Sequence, residues 1–175
     1  LHPMAMIITG RGCPNRCVWC LYPQTMHGRR YRTRSAENVA DEFEYVGREL
    51  PQVREIGIED DTFTARRSHA REVCELLLRR KIRARWWANV RADLDRETME
   101  LMKRAGCRLF IVGFESGTQS VLDSARKGIH VEQAETFMRN ARSLGVPVRA
   151  CFVVGQFGET LETMEETLRT AIRLD

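Results

Sequence analysis

The sequence lacks the features that mark membrane-spanning and secreted proteins. No apolar run in its 175 residues approaches the ~20 that a helix needs to cross a bilayer. The first ten residues carry no basic region followed by an apolar stretch and a cleavage site, so a secretory signal is absent. Lysine is scarce, with 3 against 25 arginines, and the net charge is only +4. That charge permits a nucleic acid or an anionic ligand but requires neither.

What is present is the composition of a globular protein. Hydrophobic residues make up 43% and charged residues 30%, which excludes a disordered, collagen-like or coiled-coil chain. At roughly 100–200 residues per domain the length predicts one domain, and no low-complexity tract or linker divides it. Because the first residue is not methionine, we expect an excerpt from a longer chain.

Cysteine is the unusual component, because three of the six cysteines fall within eight residues. Cys13, Cys17 and Cys20 follow the spacing C-x3-C-x2-C. A disulfide framework would instead distribute cysteines along a small secreted protein, so a reducing cytoplasm fits better. The other three stand alone in apolar surroundings and are predicted to be buried core residues, namely Cys74, Cys107 and Cys151.

Strand and helix patterns alternate along the whole chain. Short apolar stretches predict strands at residues 6–9, 53–58, 84–89, 107–114 and 146–154, the fourth being apolar throughout, as in a strand buried on both faces. Helical spacing predicts helices at residues 35–50, 68–80, 95–105, 119–125 and 131–144. An apolar stripe that we expect to face the core marks a last helix, namely Leu161, Met164, Leu168 and Ile172. Five strand–helix repeats predict an α/β fold with a parallel sheet.

Several single residues are given structural roles. Glu159 is predicted to cap the last helix, and His69 and His130 are predicted to face solvent at helix starts. Trp86 and Trp87 are adjacent on a strand, so we expect one ring to pack in the core and the other to line a cavity.

Polar residues follow each predicted strand. In a parallel α/β sheet, functional loops lie at the carboxyl ends of the strands. The residues found there are the three cysteines, then Glu59, Asp60 and Asp61, then Asn89 and Arg91, then Glu115, Ser116 and Gly117, and finally Gly155 to Glu159. We therefore expect thiols, carboxylates, an amide and a hydroxyl to converge on one rim.

Three thiolates in one loop indicate a metal site. Thiolates select zinc, Cu(I) or iron–sulfur clusters. Cys17 and Cys20 could form half of a structural zinc site, with His2 and His27 nearby to complete it, but there is no second C-x2-C pair. A [4Fe–4S] cluster held by three cysteines would instead leave one iron open to a ligand. A non-catalytic zinc-binding module and a catalytic cluster are therefore the two readings.

The cysteine motif resembles the C-x3-C-x-aromatic-C signature of the radical S-adenosylmethionine superfamily, with Trp19 at the aromatic place. Three later segments are similar to the branch that often carries a cobalamin-binding domain. They are IEDDTFT at residues 58–64, GFESG at residues 113–117 with a following Lys127, and VGQFGET at residues 154–160. In the last segment Phe157 replaces the proline that is usual in the family.

The resemblance implies a fold and an activity. It implies a partial (β/α)6 TIM-like barrel of parallel strands, of which about five β/α units are present. Residues 1–175 would be the core domain, with the last strand and any N-terminal cobalamin domain or C-terminal extension lying outside. The enzyme would cleave S-adenosylmethionine reductively at a [4Fe–4S] cluster, and the 5′-deoxyadenosyl radical would modify an unreactive C–H position or serve methyl transfer.

The resemblance also assigns residues to the cofactors. Cys13, Cys17 and Cys20 would ligate the cluster, and no catalytic residue beyond them is assigned. Contacts to S-adenosylmethionine would come from Trp19, Asp60, Asp61, Asn89, Glu115 and Ser116. From the residues alone, the two aspartates could equally begin a turn or cap a helix, Asn89 could be a turn residue, and Glu115 could be a solvated loop acid.

The partners expected are a small-molecule or lipid substrate and a low-potential electron donor of the flavodoxin or ferredoxin type. The run from Trp19 to Ser35 resembles radical enzymes encoded with hopanoid biosynthesis, so a cytoplasmic enzyme that is peripheral to the membrane when its substrate is a lipid is implied. An RNA-modifying enzyme is the alternative, because arginines beside Tyr31 could bind phosphates and stack on bases. They are Arg29, Arg30, Arg32 and Arg34. The modest net charge favours a solvated or cofactor-facing loop, and a nucleic acid partner is not expected.

Overall fold

The structure, a computed structural model, describes residues 3–175 and contains one five-stranded parallel sheet. The strands are β1 Met4–Ile7, β2 Gly10–Arg11, β3 Arg32–Thr33, β4 Glu55–Ile58, β5 Trp86–Val90, β6 Cys107–Glu115 and β7 Val148–Phe152. The helices are α1 Tyr22–Thr25, α2 Ala36–Glu49, α3 Arg67–Arg79, α4 Arg96–Arg104, α5 Gln119–Ser124, α6 Val131–Leu144 and α7 Leu161–Leu174.

The sheet order β1-β4-β5-β6-β7 follows the chain, and every neighbouring pair is parallel. A sheet in which each new strand adds beside the previous one is the wall of a barrel, whereas a doubly wound sheet reverses its order. The predicted α/β class and the five β/α units are therefore confirmed. Strands β2 and β3 form a separate antiparallel ribbon that the sequence did not predict.

The helices pack on one face of the sheet and leave the other face open. On the helical face Trp86 is fully buried, with Phe43 and Phe63 edge-on to its ring at 6.3 and 5.8 Å between centroids. Trp87 points to the opposite face, where its ring lies over Gly57. The prediction that the two rings separate in this way is confirmed.

Local sequence explains where the helices begin and end. Ser35 caps α2 by accepting from the backbone N–H of Asn38, and Asp95 caps α4 by accepting from that of Thr98. Gly145 ends α6 in the left-handed conformation at φ +65°, which glycine adopts without a Cβ penalty. No helix within residues 3–175 is long and apolar enough to cross a membrane.

The predicted apolar stripe of the last helix is wrong as a core face. Leu161, Leu168 and Ile172 are 73%, 61% and 68% exposed. The face of α7 that meets the rest of the chain instead carries Thr167 and Thr170, both buried. Hydroxyls occupy this contact because they bond to the loop after β6, as described below.

Three further predictions are corrected. Cys151 is exposed rather than buried, because it lies on β7, a strand with a neighbour on one side only. His69 is buried in the first turn of α3 and contacts Thr9, although its position suggested solvent. Thr160, and not Glu159, caps α7, since its hydroxyl accepts from the backbone N–H of Thr163. Cys74, Cys107 and His130 lie as predicted, the cysteines buried and the histidine exposed.

Strand β6 is buried on one face and half-buried on the other. Phe110, Val112 and Phe114 face the helices, whereas Leu109 and Ile111 alternate with them on the open face. The prediction of burial on both faces is therefore wrong, because no layer covers the open side within the described residues. That open side is the concave interior toward which the site residues lie.

Candidate functional site

The cysteines lie in a loop, residues 12–31, that runs from the ribbon strand β2 to its partner β3 and is called the cysteine loop below. Cys13 and Cys17 are buried and Cys20 is partly exposed. The Cys13 N–H donates to the carbonyl of Gly28 at 3.2 Å, which joins the two arms of the loop. Gly12 has φ +95°, and a Cβ there would lie 2.3 Å from the carbonyl oxygen of Arg30. The arms approach so closely that only glycine fits.

The donor set fits an iron–sulfur cluster better than a zinc ion. Within residues 3–175 no three His, Cys, Asp or Glu side chains are grouped as the ligands of a single ion. A cluster takes one thiolate on each of three irons, so its ligands stand farther apart than those of one ion. His27, the nearby candidate for a zinc shell, contacts Asp61 instead, and His2 lies outside the described residues.

Two cations and an amide surround the thiols. Burial raises the pKa of the Cys17 thiol, and the positive charges of Lys127 and Arg91 oppose that rise. The Lys127 ammonium also lies 5.6 Å from the centroid of the Trp19 ring. The side-chain amide of Asn15 donates to Cys13 Sγ at 3.2 Å. These groups all favour sulfur in its anionic, metal-ligating form.

Lys127 is held by Glu115, the last residue of β6. The ammonium and Glu115 Oε1 are 2.6 Å apart, with side chains 11% and 5% exposed. Glu115 has φ +72°, rare for a residue with a Cβ, and the register against β7 shifts at this point. A Cβ on Gly113 would lie 2.0 Å from Glu115 Oε1. Gly113 therefore makes room for the ion pair on the open face.

Asp60, two residues beyond β4, is almost fully buried at 1% exposure. Its carboxylate accepts from the backbone N–H groups of Thr9 and Gly10, from the Thr9 hydroxyl and from the Tyr31 hydroxyl. Strand β1 ends at Ile7 for this reason, since the next amides turn to Asp60 rather than to the sheet. Burial and Asp60 raise the pKa of Tyr31, which stays a hydrogen-bond donor.

The neighbouring Asp61 contacts the middle of the cysteine loop. It accepts from the Gly12 N–H at 3.1 Å, and its two oxygens lie 3.1 and 3.2 Å from His27 Nδ1. Both predicted acidic residues thus point at the cysteine loop, one at its base and one farther out.

The other predicted site residues lie on the same edge. Asn89 is partly exposed and donates to the backbone carbonyl of Asp60 at 3.1 Å. Ser116 is buried, and its hydroxyl lies 3.1 Å from Thr167 Oγ1 on α7. Trp19 is 40% exposed in the cysteine loop. The predicted residues do converge on one rim, but their roles toward a cofactor stay predictions.

The sequence analysis missed Thr9 and His69 as parts of this site. Thr9 looked like the end of a strand, and no motif marks its bond to Asp60, 51 residues away. Tyr31 was noted only as an aromatic among arginines. Its place could have been suspected, because the loop between two paired strands must be closed by groups that follow the third cysteine.

The arginines around Tyr31 bond within the chain. Arg29 donates to the carbonyl of Asn15 at 2.7 Å, and Arg32 donates to that of His27 at 3.2 Å. Arg34 donates to the carbonyl of Ile8 at 2.9 Å and pairs with Glu42. These side chains close the cysteine loop, which agrees with the prediction that they do not form a nucleic acid platform.

A barrel wall that carries three thiols in a loop at its carboxyl edge defines a class of cluster-binding α/β enzymes. The profile of the radical SAM superfamily matches residues 7–171, which is most of the chain. The chain therefore belongs to the radical SAM superfamily, and the [4Fe–4S] cluster and S-adenosylmethionine are its cofactors. The predicted family, enzyme class and cofactors are confirmed.

Relatives place the chain nearer to one part of the superfamily. An uncharacterized methyltransferase of Pyrococcus horikoshii is 30% identical over 174 residues, 99% of this chain and 38% of that protein. The hopanoid C-3 methylase of Methylococcus capsulatus is 30% identical over 153 residues, 85% of this chain and 28% of that protein. The chain thus spans between a quarter and two fifths of these relatives.

A solved structure shows the same fold. The radical S-adenosylmethionine methyltransferase TsrM from Kitasatospora setae, with cobalamin and a [4Fe–4S] cluster bound, superimposes with a TM-score of 0.91 at 26% identity. The match covers 99% of this chain and 35% of TsrM.

Proposed function

We propose that this chain is the core of an enzyme that modifies a small molecule by radical S-adenosylmethionine chemistry. The observation that carries the proposal is the position of three cysteines, without a fourth clustered protein ligand among residues 3–175, at the carboxyl edge of a barrel wall. When bound, the reduced cluster cleaves S-adenosylmethionine to methionine and a 5′-deoxyadenosyl radical.

The chain's own residues hold the cofactors and shield the reaction. Cys13, Cys17 and Cys20 would bind the cluster. The predicted contacts to S-adenosylmethionine differ in what they have to offer. Asn89 and Trp19 are partly exposed on the rim, and Glu115 uses only Oε1 in its ion pair within the described residues.

The predicted contacts from Asp60, Asp61 and Ser116 have less capacity for a ligand. Each is already engaged within the chain, Asp60 by the cysteine loop base, Asp61 by Gly12 and His27, and Ser116 by α7. We propose that these three contribute mainly by fixing the rim around the bound cofactor.

We propose further that the substrate is a small molecule or a lipid of the hopanoid kind, because the hopanoid C-3 methylase is among the relatives. Methyl transfer is the favoured outcome, since two relatives and TsrM are methyltransferases or methylases. Cobalamin would then be bound by a domain outside these residues. A flavodoxin or ferredoxin type protein would supply the electron, and the enzyme would work in the cytoplasm, at the membrane surface when its substrate is a lipid.

The test is anaerobic reconstitution with iron and sulfide. We expect a brown protein that, with dithionite and S-adenosylmethionine, releases 5′-deoxyadenosine, together with S-adenosylhomocysteine where a methyl group is transferred. The triple variant Cys13→Ala, Cys17→Ala, Cys20→Ala should lose both iron and turnover. The matched control is Cys151→Ala, which removes an exposed thiol outside the cysteine loop and should keep both. A triple variant that retained turnover would refute the proposal.

A further inference from the structure

We propose that Asp60 is a positioning residue that sets the geometry of the cysteine loop, in addition to any contact with a cofactor. The inference rests on the proposed function, since it concerns the loop that carries the cluster ligands. Its basis is that one buried carboxylate joins the chain just before the loop to the chain just after it.

The contacts join the loop at both ends. Asp60 Oδ1 accepts from the N–H groups of Thr9 at 2.7 Å and Gly10 at 3.0 Å. Asp60 Oδ2 accepts from the Thr9 hydroxyl at 2.6 Å and from the Tyr31 hydroxyl at 3.0 Å. Thr9 and Gly10 precede Cys13, whereas Tyr31 follows Cys20. Any displacement of Asp60 therefore changes the spacing of both arms.

Four donors saturate this carboxylate. An ionised carboxyl group has about four lone-pair sites, and all four bonds here come from the cysteine loop and its approach. No lysine or arginine forms an ion pair with Asp60 among residues 3–175, so these hydrogen bonds are what compensate its burial. Removing one donor leaves buried charge that is poorly solvated, which makes the arrangement sensitive to single substitutions.

Steric fit supports the same reading independently. A Cβ on Gly10 would lie 2.6 Å from both the hydroxyl oxygen and the ring of Tyr31. The tyrosine ring is thus seated directly on the backbone of β2 with its hydroxyl aimed at Asp60. Gly12 meets Arg30 in the same way one step farther along the loop, and there Asp61 supplies the second carboxylate bond.

His69 orients the Thr9 hydroxyl. That hydroxyl has one hydrogen, which it donates to Asp60, so its contact with His69 Nε2 at 3.1 Å requires the imidazole to be the donor. Burial lowers the pKa of His69, so a neutral ring with the hydrogen on Nε2 fits the site. The hydrogen-bond chain runs in one direction, from His69 through Thr9 to Asp60.

The experiment compares Asp60→Asn and Tyr31→Phe with two matched controls, Asp41→Asn and Tyr45→Phe. Asp41 and Tyr45 lie on the outer surface of α2, and their side chains are far more exposed. Iron-free protein is digested briefly with trypsin, and cleavage after Arg16 is followed by mass spectrometry. The same proteins are then reconstituted, and iron loss to a chelator and the electron paramagnetic resonance spectrum with and without S-adenosylmethionine are recorded.

We expect cleavage after Arg16 to be about tenfold faster in Asp60→Asn and Tyr31→Phe than in the wild type and controls. Proteolysis follows the population of the open loop, and tenfold corresponds to about 1.4 kcal/mol, within the range for losing a bond to a charged group. Iron should be lost faster, and the spectral change on adding S-adenosylmethionine should be altered, whereas a merely structural role would accelerate cleavage throughout the chain and leave the spectrum unchanged.

Cleavage and spectra identical to the controls would overturn the inference. Should Asp60→Asn fail to fold, Tyr31→Phe still decides the matter, because it removes one hydroxyl and keeps the ring on Gly10. The two proposals fail separately. A wild-type protein that never takes up iron would refute the proposed function, while the tryptic rates would still support or refute the role of Asp60.

Discussion

Replacing Lys127 with methionine tests the ion pair that joins β6 to the cysteine loop. The substitution keeps an unbranched chain of similar length and removes only the charge. Glu115 is then left with its carboxylate 5% exposed and without the cation 2.6 Å away. A buried charge that loses its partner is strongly destabilising, whereas an exposed one is not.

The structure sets the size of the effect. Breaking a buried ion pair costs ~3–5 kcal/mol, and the partial exposure of the Lys127 side chain, 11%, places this pair toward the lower end. The ammonium also lies over the Trp19 ring, a contact that contributes ~0.5–1 kcal/mol. We therefore expect Lys127→Met to lower the free energy of unfolding by about 3 kcal/mol.

Urea unfolding of the iron-free protein under anaerobic, reducing conditions measures this loss. With a slope near ~2–3 kcal/mol/M, the midpoint should fall by ~1 M or somewhat more. The control within the same chain is Arg169→Met, which breaks the exposed pair with Glu165 on α7. Exposed pairs contribute ~0–1 kcal/mol, so the control should move the midpoint little.

The double variant Lys127→Met, Glu115→Gln separates a buried charge from lost packing. Because it removes both charges, it should recover most of the stability that Lys127→Met loses, with a coupling of at least ~1.5 kcal/mol. Equal effects of Lys127→Met and the Arg169 control, or a double variant no more stable than Lys127→Met alone, would refute the reasoning.

Three further predictions follow from single side chains. Burial lowers the pKa of His69, so the unfolded chain binds a proton first as the pH falls through ~6.5; the unfolding free energy should fall below that pH in wild type and less steeply in His69→Gln, and equal slopes would contradict this. Asn15→Ala removes the N–H donor to Cys13 Sγ and should lower the cluster reduction potential in a redox titration followed by electron paramagnetic resonance, since hydrogen bonds to sulfur help set that potential; an unchanged value would exclude the bond. In iron-free native protein, iodoacetamide should label the exposed Cys151 within minutes and Cys74, whose burial raises its thiol pKa, only on unfolding; equal labelling in a mass spectrum would refute the assigned burial.

The sequence predicted the elements of the fold well because local signals determine them. Helix caps such as Ser35 and Asp95, and glycine stops such as Gly145, act over three or four residues and lie where expected. The apolar stripe of α7 failed for a different reason. Helical spacing shows that one face is apolar but not which face meets the sheet, and here hydroxyls of α7 bond to the loop at Ser116.

The site was predictable as a rim but not as a set of contacts. Strand ends identify which residues gather at one edge, so the cysteines, Asp60, Asn89 and Glu115 were found. Whether a carboxylate at that edge faces a ligand or the chain depends on donors far away in sequence. Thr9 and Tyr31 lie 51 and 29 residues from Asp60, beyond any local periodicity.

Counting donors distinguishes the two acidic positions that the sequence treats alike. Asp60 has four internal donors and no remaining acceptor site, so it is suited to hold a loop. Glu115 has one printed donor, a backbone strained at φ +72°, and a glycine cleared of side-chain atoms beside it. Strain of this kind persists where surrounding structure enforces it, commonly at functional sites. Of the two, Glu115 is therefore the residue from which direct contact with the bound cofactor is expected, and Asp60 the one whose loss should be detected first in the shape of the cysteine loop.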